Sequence, residues 1–280
     1  MEEIIDENIL KKMHITQMKI LDEIVVICKK YNLKYYLTGG SMIGAVRHHG
    51  FIPWDDDIDI GMKRKDFEKF IRVASDELNK EKFYLDYYEN GENKYSYLPF
   101  AKVKMKNTLY SEEVKANYKG GKEMWVDIFP FDYADDNFIT RVKSTLVRFS
   151  CAMLCKKNKI ERPLGKAMTL ISKIIPKRVC FKLYDLAKCE NNKKKYIASY
   201  ASIYKIDKEI YPKYVFEETI EVDFEDRKYA IPKEYDYILK QLYGDYMSLP
   251  PVEKRVIHWP TKVIFENGEE IVLKNKGKGV

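Results

Sequence analysis

The chain has 280 residues, of which 45% are apolar, 14% aromatic and 33% charged, and its net charge is +7. This composition is enough to bury a sizeable core, and it places the chain among soluble globular proteins rather than disordered ones. The sequence has no apolar run near the roughly 18 residues of a membrane-spanning helix, and its N-terminus is acidic, unlike a secretory signal; both observations favour the cytoplasm.

The first third of the chain alternates helical and β-prone patterns. Apolar residues at helical spacing predict an amphipathic helix over Ile9–Tyr31. A short β-prone segment then runs into Gly39-Gly40, and Ser41 is predicted to N-cap a short helix that reaches Arg47. Alternating acidic and apolar residues predict a strand over 57–60, followed by a second helix over 65–78.

The rest of the chain divides into a helical middle and a return to β-prone sequence. Strands are predicted over 83–88, 98–105, 124–129 and 219–224, helices throughout 137–203, and a short helix over 235–243. We therefore predict an α/β (α+β) fold, with a core formed by residues 1–135 and 213–280. A basic helical insertion at 136–212 interrupts that core.

The acidic segment at 55–60 carries the strongest chemical signal. On a strand, Asp57 and Asp59 point to the same face with Cα atoms roughly 6.6 Å apart. Two carboxylates so close repel each other unless a cation lies between them, and oxygen ligands of this kind suit Mg²⁺, or Mn²⁺ in its place. An acidic surface turn is the plain alternative. An EF-hand loop is excluded, because Ile60 stands where that loop needs glycine.

Asp127 is the best candidate for a third carboxylate. It lies between the apolar residues Trp125 and Phe129 on one face of a predicted strand, so it is either desolvated or bound to something. A solvated strand end is the alternative explanation. Asp132 is the second choice, but it follows Pro130 and is predicted to lie in a turn.

Gly39, Gly40 and Ser41 form a candidate phosphate-binding turn. Glycines between a strand and a helix let a ligand approach the backbone closely, and a helix N-terminus offers free N–H groups to an anion. Ser41 would either cap the helix or donate to a phosphate. The turn alone is weak evidence, but the acidic strand that follows 16 residues later strengthens it.

The run from Leu37 to Gly61, LTGGSMIGAVRHHGFIPWDDDIDIG, closely resembles the LicD family, whose members have the nucleotidyltransferase fold and are related to the fukutin group. The resemblance continues through 100–108, 126–132, 243–247 and 249–258, and it leaves out the helices of 137–203.

This resemblance implies an activity as well as a fold. LicD proteins transfer a phospho-alcohol, often phosphocholine, from a CDP-activated donor to a sugar of a surface glycan or lipid-linked glycan. By the family pattern Asp57 and Asp59 would hold the metal, and Asp127 would be a third ligand or the general base. The family often has arginine where this chain has Lys104.

Five further residues are candidates for binding the donor phosphates, and each has an ordinary structural alternative. Arg47 follows the glycine turn, and Lys102 and Lys104 share one face of a strand. Arg255 and His258 lie one helical turn apart in a tail that would fold back on the core. The resemblance favours placing Lys102 and Lys104 at the site, while a surface arginine at 47 and a structural histidine at 258 stay open as alternatives.

The basic charge is concentrated between Arg141 and Lys195, with 16 Lys and Arg against three acids. Such a block is either a surface for anions or a solvated helical face. A lipid-linked acceptor favours peripheral contact with the inner face of an anionic membrane. Two rival functions remain: a nucleotidyltransferase that adds NMP to a small molecule or RNA, and a non-catalytic nucleic-acid-binding module. The second leaves the acidic strand unexplained, so no nucleic-acid partner is expected.

Overall fold

A computed structural model describes residues 7–89, 97–112, 121–154, 175–252, 255 and 260–273. Most of its first helices and strands lie close to their predicted positions, but α2 begins earlier than predicted and β5 was not predicted. They are α1 (Glu7–Tyr31), β1 (Tyr36–Leu37), α2 (Gly39–Ile43), β2 (Asp59–Lys63), α3 (Arg64–Glu77), β3 (Phe83–Asp86), β4 (Ala101–Met105), β5 (Leu109–Glu112) and β6 (Trp125–Ala134).

The second half adds three helices and six short strands within the described residues. They are α4 (Phe138–Leu154), α5 (Lys177–Asp185), β7 (Tyr196–Ala198), β8 (Ile210–Pro212), β9 (Thr219–Phe224), β10 (Arg227–Pro232), α6 (Tyr235–Tyr243), β11 (Pro260–Ile264) and β12 (Glu270–Val272). The mixture confirms the predicted α/β (α+β) class. None of the described helices is both long and apolar enough to cross a bilayer.

The main sheet has seven strands, and β6 lies at its centre. The order is β1-β2-β6-β4-β3; β2 and β6 are parallel, and the other pairs are antiparallel. The last residues of β6 pair with β7, which pairs in turn with β8. Two smaller antiparallel sheets, β9-β10 and β12-β11-β5, complete the strands of the described chain.

The core forms where apolar residues of α1 and α3 pack on the sheet. Ile20, Ile24 and Phe67 are almost fully buried, as are the inward residues Ile58 and Ile60 that flank the acids of the site. The two helices contact each other and β6. This packing holds β2 and β6, the strands that carry Asp59 and Asp127, against the hydrophobic core.

Two predictions about this fold are wrong. Asp132 does not lie in a turn: β6 continues through Pro130, and the Asp132 carboxylate receives a bidentate bond from Arg64, at 2.8 and 2.7 Å, with both side chains buried. The segment 137–203 is not all helical either, because β7 extends the main sheet from within it. The proposed boundaries of the insertion stay a prediction.

Candidate active site

Four charged side chains form a row across the main sheet. Asp59 on β2 is paired in register with Asp127 on β6, Asp127 with Lys102 on β4, and Lys102 with Asp86 on β3. Residues directly paired across neighbouring strands project to the same face. The sheet therefore presents two adjacent carboxylates, one ammonium group and a third carboxylate in one line.

Asp57 joins the carboxylate end of this row. It lies two residues before β2 begins, so the strand starts later than predicted, but the predicted convergence of Asp57 and Asp59 is present. One oxygen from each of Asp57, Asp59 and Asp127 lies within 4.8 Å of the other two. Asp57 and Asp59 are partly exposed, so a ligand can reach them from solvent. Three converging carboxylate oxygens with open access fit a hard divalent cation such as Mg²⁺.

Electrostatics at this cluster also favour a cation. Burial is the largest cause that raises the pKa of Asp57 and Asp59 well above the ordinary value for aspartate, and repulsion from neighbouring carboxylates raises it further. Lys102 opposes the rise, and its Nζ lies 2.5 Å from Asp127 Oδ1. One ammonium group does not balance three acids, so a bound divalent ion would relieve the remaining repulsion.

Asp55 and Asp56 form a second acidic group with Asp57, but their surroundings differ. The Tyr110 hydroxyl donates a hydrogen bond to the Asp56 carboxylate, which is buried. Gln17 on α1 donates to the Asp56 carbonyl at 2.5 Å. Asp56 therefore fixes the shape of the loop, and the Asp57, Asp59 and Asp127 group remains the better fit for a metal.

The glycine turn lies directly against these acids. A Cβ on Gly39 would approach Asp59 Oδ2 to 3.2 Å, and the residue has a left-handed φ of +58°. A Cβ on Gly40 would collide with Asp55 Oδ2 at 2.6 Å. A side chain at position 39 would be strained by this φ, and one at position 40 would displace the Asp55 carboxylate, so the backbone of the turn packs directly against the acids.

Ser41 has a different role from the predicted N-cap. The N-cap of helix α2 is Thr38, three residues before the predicted one, and the buried Ser41 Oγ accepts a hydrogen bond from the Asp59 N–H at 2.9 Å. The cap prediction fails because the glycines themselves are helical. The serine instead links the turn to the first residue of β2, and its hydroxyl proton remains free to be donated.

Lys102 and Lys104 lie on the same face of β4 but contact different groups. The Lys102 ammonium group lies 4.5 Å from the centre of the Trp125 ring as well as against Asp127. Lys104 is only 2% exposed, forms an ion pair with Asp86, and donates to the Gly121 carbonyl at 3.0 Å. Lys102 therefore contacts the Asp127 carboxylate of the acidic cluster, whereas Lys104 is paired with Asp86 instead.

Arg47 and Arg255 lie near each other beyond the acidic loop. Arg47 Nη1 donates to the Tyr246 carbonyl at 2.5 Å, and the positive charge of Arg255 lowers the Arg47 pKa in addition to the larger effect of burial. The Arg255 guanidinium lies 4.3 Å from the centre of the Trp54 ring, and Trp54 directly precedes the acids. His258 lies outside the described residues.

Two residues at the site were not predicted. Asp86 completes the charged row, and the Tyr243 hydroxyl would lie 3.8 Å from a Cβ on Gly39. Asp86 has no local motif, and only the pairing of β3 with β4 shows its position. Tyr243 opens one of the segments that resemble the LicD family, which was the one available signal.

Comparisons with known proteins identify relatives of this chain. A family model described as LicD/FKTN/FKRP, nucleotidyltransferase domain, matches residues 32–167, which include the three converging acids. The lipopolysaccharide cholinephosphotransferase LicD of Haemophilus influenzae is 30% identical over 264 residues, or 89% of this chain and 95% of that protein. The human and mouse ribitol 5-phosphate transferases FKRP are each 42% identical over 43 residues, 15% of this chain and 9% of theirs.

Proposed function

This chain belongs to the LicD family, and from that membership we propose that it transfers a phospho-alcohol from a CDP-activated donor to a hydroxyl of a cell-surface glycan or lipid-linked glycan. The observation that carries the proposal is the convergence of Asp57, Asp59 and Asp127 beside the Gly39-Gly40 turn. A metal-binding group directly beside a backbone turn that a ligand can approach closely is what a diphosphate donor needs.

Asp57, Asp59 and Asp127 would hold Mg²⁺, or Mn²⁺. The ion would supply charge neutralisation for the donor diphosphate. Between the two roles open to Asp127, we favour the metal ligand, because one of its oxygens lies within 4.8 Å of an oxygen of each of the other two acids. Lys102, which forms an ion pair with Asp127, would add positive charge next to the metal-binding acids.

The Gly39-Gly40 backbone and Ser41 would position the donor phosphates. Arg255, stacked on Trp54 at the end of the acidic loop, would contact the donor from the other side. Arg47 would add a second positive charge near Arg255, and its hydrogen bond to the Tyr246 carbonyl would hold the C-terminal segment in place. Lys104 would support Lys102 through Asp86 rather than touch a phosphate, because it is buried in that ion pair. A donor-binding role for His258 stays a prediction.

We also propose a peripheral contact with anionic membrane on the cytoplasmic side. Helix α4 begins with Phe138 and Ile139, which are 78% and 62% exposed, and Lys143 and Arg148 follow on the same helix. Exposed apolar residues with basic neighbours are the pattern of interfacial binding. Flotation with anionic liposomes that is lost at high salt, and on changing Phe138 and Ile139 to Ser, would support this contact. Absence of flotation at low salt would refute it.

The test of function separates transfer of the phospho-alcohol from transfer of NMP. Wild-type protein is incubated with Mg²⁺, envelope glycans, and CDP-choline, CDP-ribitol or CDP-glycerol labelled either on the β-phosphorus or on cytosine. We expect β-label in the glycan and free CMP in solution, and neither with Asp59→Asn. Cytosine label in the product would instead indicate a nucleotidyltransferase. Competition by total RNA for donor binding would indicate a nucleic-acid module.

A further inference from the structure

Tyr243, the last residue of α6, places its hydroxyl at the glycine turn. A methyl group on Gly39 would lie 3.8 Å from the Tyr243 hydroxyl oxygen and 3.2 Å from Asp59 Oδ2. The phenol and the carboxylate therefore border the same small volume in front of Gly39. None of the roles proposed above uses this hydroxyl.

The segment around the end of α6 is clamped, so the phenol is held in place. Gln241 Nε2 donates to the carbonyls of Lys208 and Ile210, at 3.0 and 2.8 Å. Lys208 Nζ donates in return to the Leu242 carbonyl at 2.9 Å. The Tyr243 ring packs edge-on against Tyr204, with ring centres 5.7 Å apart, and the hydroxyl groups of the two tyrosines form a hydrogen bond. A side chain fixed in this way loses little entropy when it binds a ligand.

The phenol is a neutral hydrogen-bond donor at this position. Burial is the largest cause that raises the Tyr243 pKa well above its ordinary value. The electrostatic interaction and the hydrogen bond with Tyr204 come next, and the negative charges of Asp59 and Glu209 add to the rise. The hydroxyl therefore keeps its proton at neutral pH. Because it carries no charge, it can donate to a phosphate oxygen without competing with a cation for the carboxylates, which a lysine at this position would do.

We propose that Tyr243 is a further donor-binding residue, whose hydroxyl donates a hydrogen bond to a phosphate oxygen lying over Gly39, and that Tyr204 is its positioning residue. The identification of that phosphate as part of a CDP-activated donor rests on the proposed function. The proposed hydrogen bond itself needs only a phosphate group, of whatever donor, held between the glycine turn and the metal-binding acids.

The experiment measures binding of Mg²⁺ and of pyrophosphate by calorimetry on the full chain. Tyr243→Phe removes the hydroxyl and keeps the ring. We expect its affinity for pyrophosphate in saturating Mg²⁺ to fall about tenfold, the effect of one hydrogen bond to a charged group, with unchanged affinity for Mg²⁺ alone and an unchanged Tm. Tyr204→Phe should give a smaller loss in the same direction. Tyr214→Phe removes the hydroxyl of an exposed tyrosine and should change nothing.

Three results would overturn the inference. They are wild-type affinity for pyrophosphate in Tyr243→Phe, an equal loss of affinity for Mg²⁺ alone, and no binding of pyrophosphate by the wild-type protein. Failure of the proposed function has a different signature: wild-type protein binds Mg²⁺ and pyrophosphate, Tyr243→Phe weakens the binding, and no CDP-alcohol is turned over. In that case Tyr243 still contacts a phosphate, but of another donor.

Discussion

Asp59 and Asp127 lie directly opposite each other in the parallel pairing of β2 with β6. Neighbouring strands are about 4.8 Å apart, so the register alone brings the two carboxylates within reach of one ion. Asp57 then adds a third oxygen from the loop before β2. A single-residue slip between the strands would turn one acid to the opposite face, so the apolar residues Ile58 and Ile60, which fix that register in the core, also fix the site.

Replacing any one of the three acids with its amide should weaken metal binding. We expect Asp57→Asn, Asp59→Asn and Asp127→Asn each to lower Mg²⁺ affinity at least tenfold, because an amide oxygen carries no net charge to hold the ion against water. In EDTA, Asp57→Asn and Asp59→Asn should unfold at slightly higher urea, since repulsion is removed. Asp76→Asn, at a largely exposed side chain, is the control.

The same experiment also decides whether Asp127 is a metal ligand or a general base. If Asp127→Asn binds Mg²⁺ as tightly as wild type but no longer turns over substrate, Asp127 is a general base rather than a ligand. Retention of more than about a tenth of wild-type activity by both Asp57→Asn and Asp59→Asn, a loss below ~1.4 kcal/mol, would contradict the assignment of the metal site itself.

Ser41→Ala tests the link between the glycine turn and β2. The substitution leaves the part-buried Asp59 N–H without its acceptor, which costs about 1 kcal/mol or more. We expect a lower urea midpoint and, because Asp59 is no longer held at the start of β2, weaker Mg²⁺ binding as well. Ser248→Ala removes the same atom from an exposed serine and should affect neither measurement. Unchanged stability in Ser41→Ala would show that another acceptor or water replaces the hydroxyl.

The acids of the site could be predicted from sequence because their signals are local. Two carboxylates separated by one buried apolar residue, as in Asp57-Ile58-Asp59, indicate both a strand and a shared face. Asp127 was predictable for the same reason: it lies between aromatic residues in a β-prone segment. Their meeting depends only on β2 and β6 being neighbours, which the nucleotidyltransferase resemblance already implies.

The wrong predictions concern residues whose partners are distant in sequence. Asp132 was expected in a turn after Pro130, but Arg64, 68 residues earlier, binds its carboxylate and keeps it in the strand. Ser41 was expected to cap its own helix, but its hydroxyl oxygen accepts a hydrogen bond from the Asp59 N–H instead. The donor-binding role of Lys104 stays a prediction, but its ion-pair partner Asp86 is likewise distant in sequence, and the strand pattern that Lys104 shares with Lys102 gave no sign of it. Local patterns do not contain such tertiary partners.

Lys102 and Lys104 are expected to respond differently to the same substitution. Lys102→Met removes the positive charge that contacts Asp127, so Mg²⁺ should bind as tightly as in wild type or more tightly, while donor affinity falls. Lys104→Met leaves the buried Asp86 without its cation and should destabilise the fold by about 3–5 kcal/mol.

The two measurements are urea unfolding and calorimetry with Mg²⁺. Lys106→Met, at an exposed lysine two residues farther along the chain, serves as the control for charge removal. A stable Lys104→Met protein with reduced donor affinity would contradict the structural role and restore Lys104 to the phosphate-binding set.

The free energy of unfolding is expected to depend on pH because of one buried acid, Glu209. Its side chain is 5% exposed, and burial raises its pKa from 4.5 to about 7, although hydrogen bonds from Ser202 and Tyr211 oppose the rise. As pH increases from 4.5 to 7, the unfolded chain releases this proton while the folded protein retains it. The stabilisation is therefore fully present below 4.5 and is lost by about pH 7, a change of about 3 kcal/mol.

Glu209→Gln should remove that dependence, because the amide keeps a neutral group of the same shape and does not titrate. We expect the free energy of unfolding of wild type, measured relative to Glu209→Gln, to fall by about 3 kcal/mol between pH 4.5 and 7.5. The comparison cancels the other titrating groups, which are the same in both proteins. Glu190→Gln, at an exposed glutamate, should show no such slope against wild type. A flat difference between wild type and Glu209→Gln would mean that Glu209 is ionised in the folded protein across this range, and that the hydrogen bonds from Ser202 and Tyr211 stabilise its charge far better than its burial suggests.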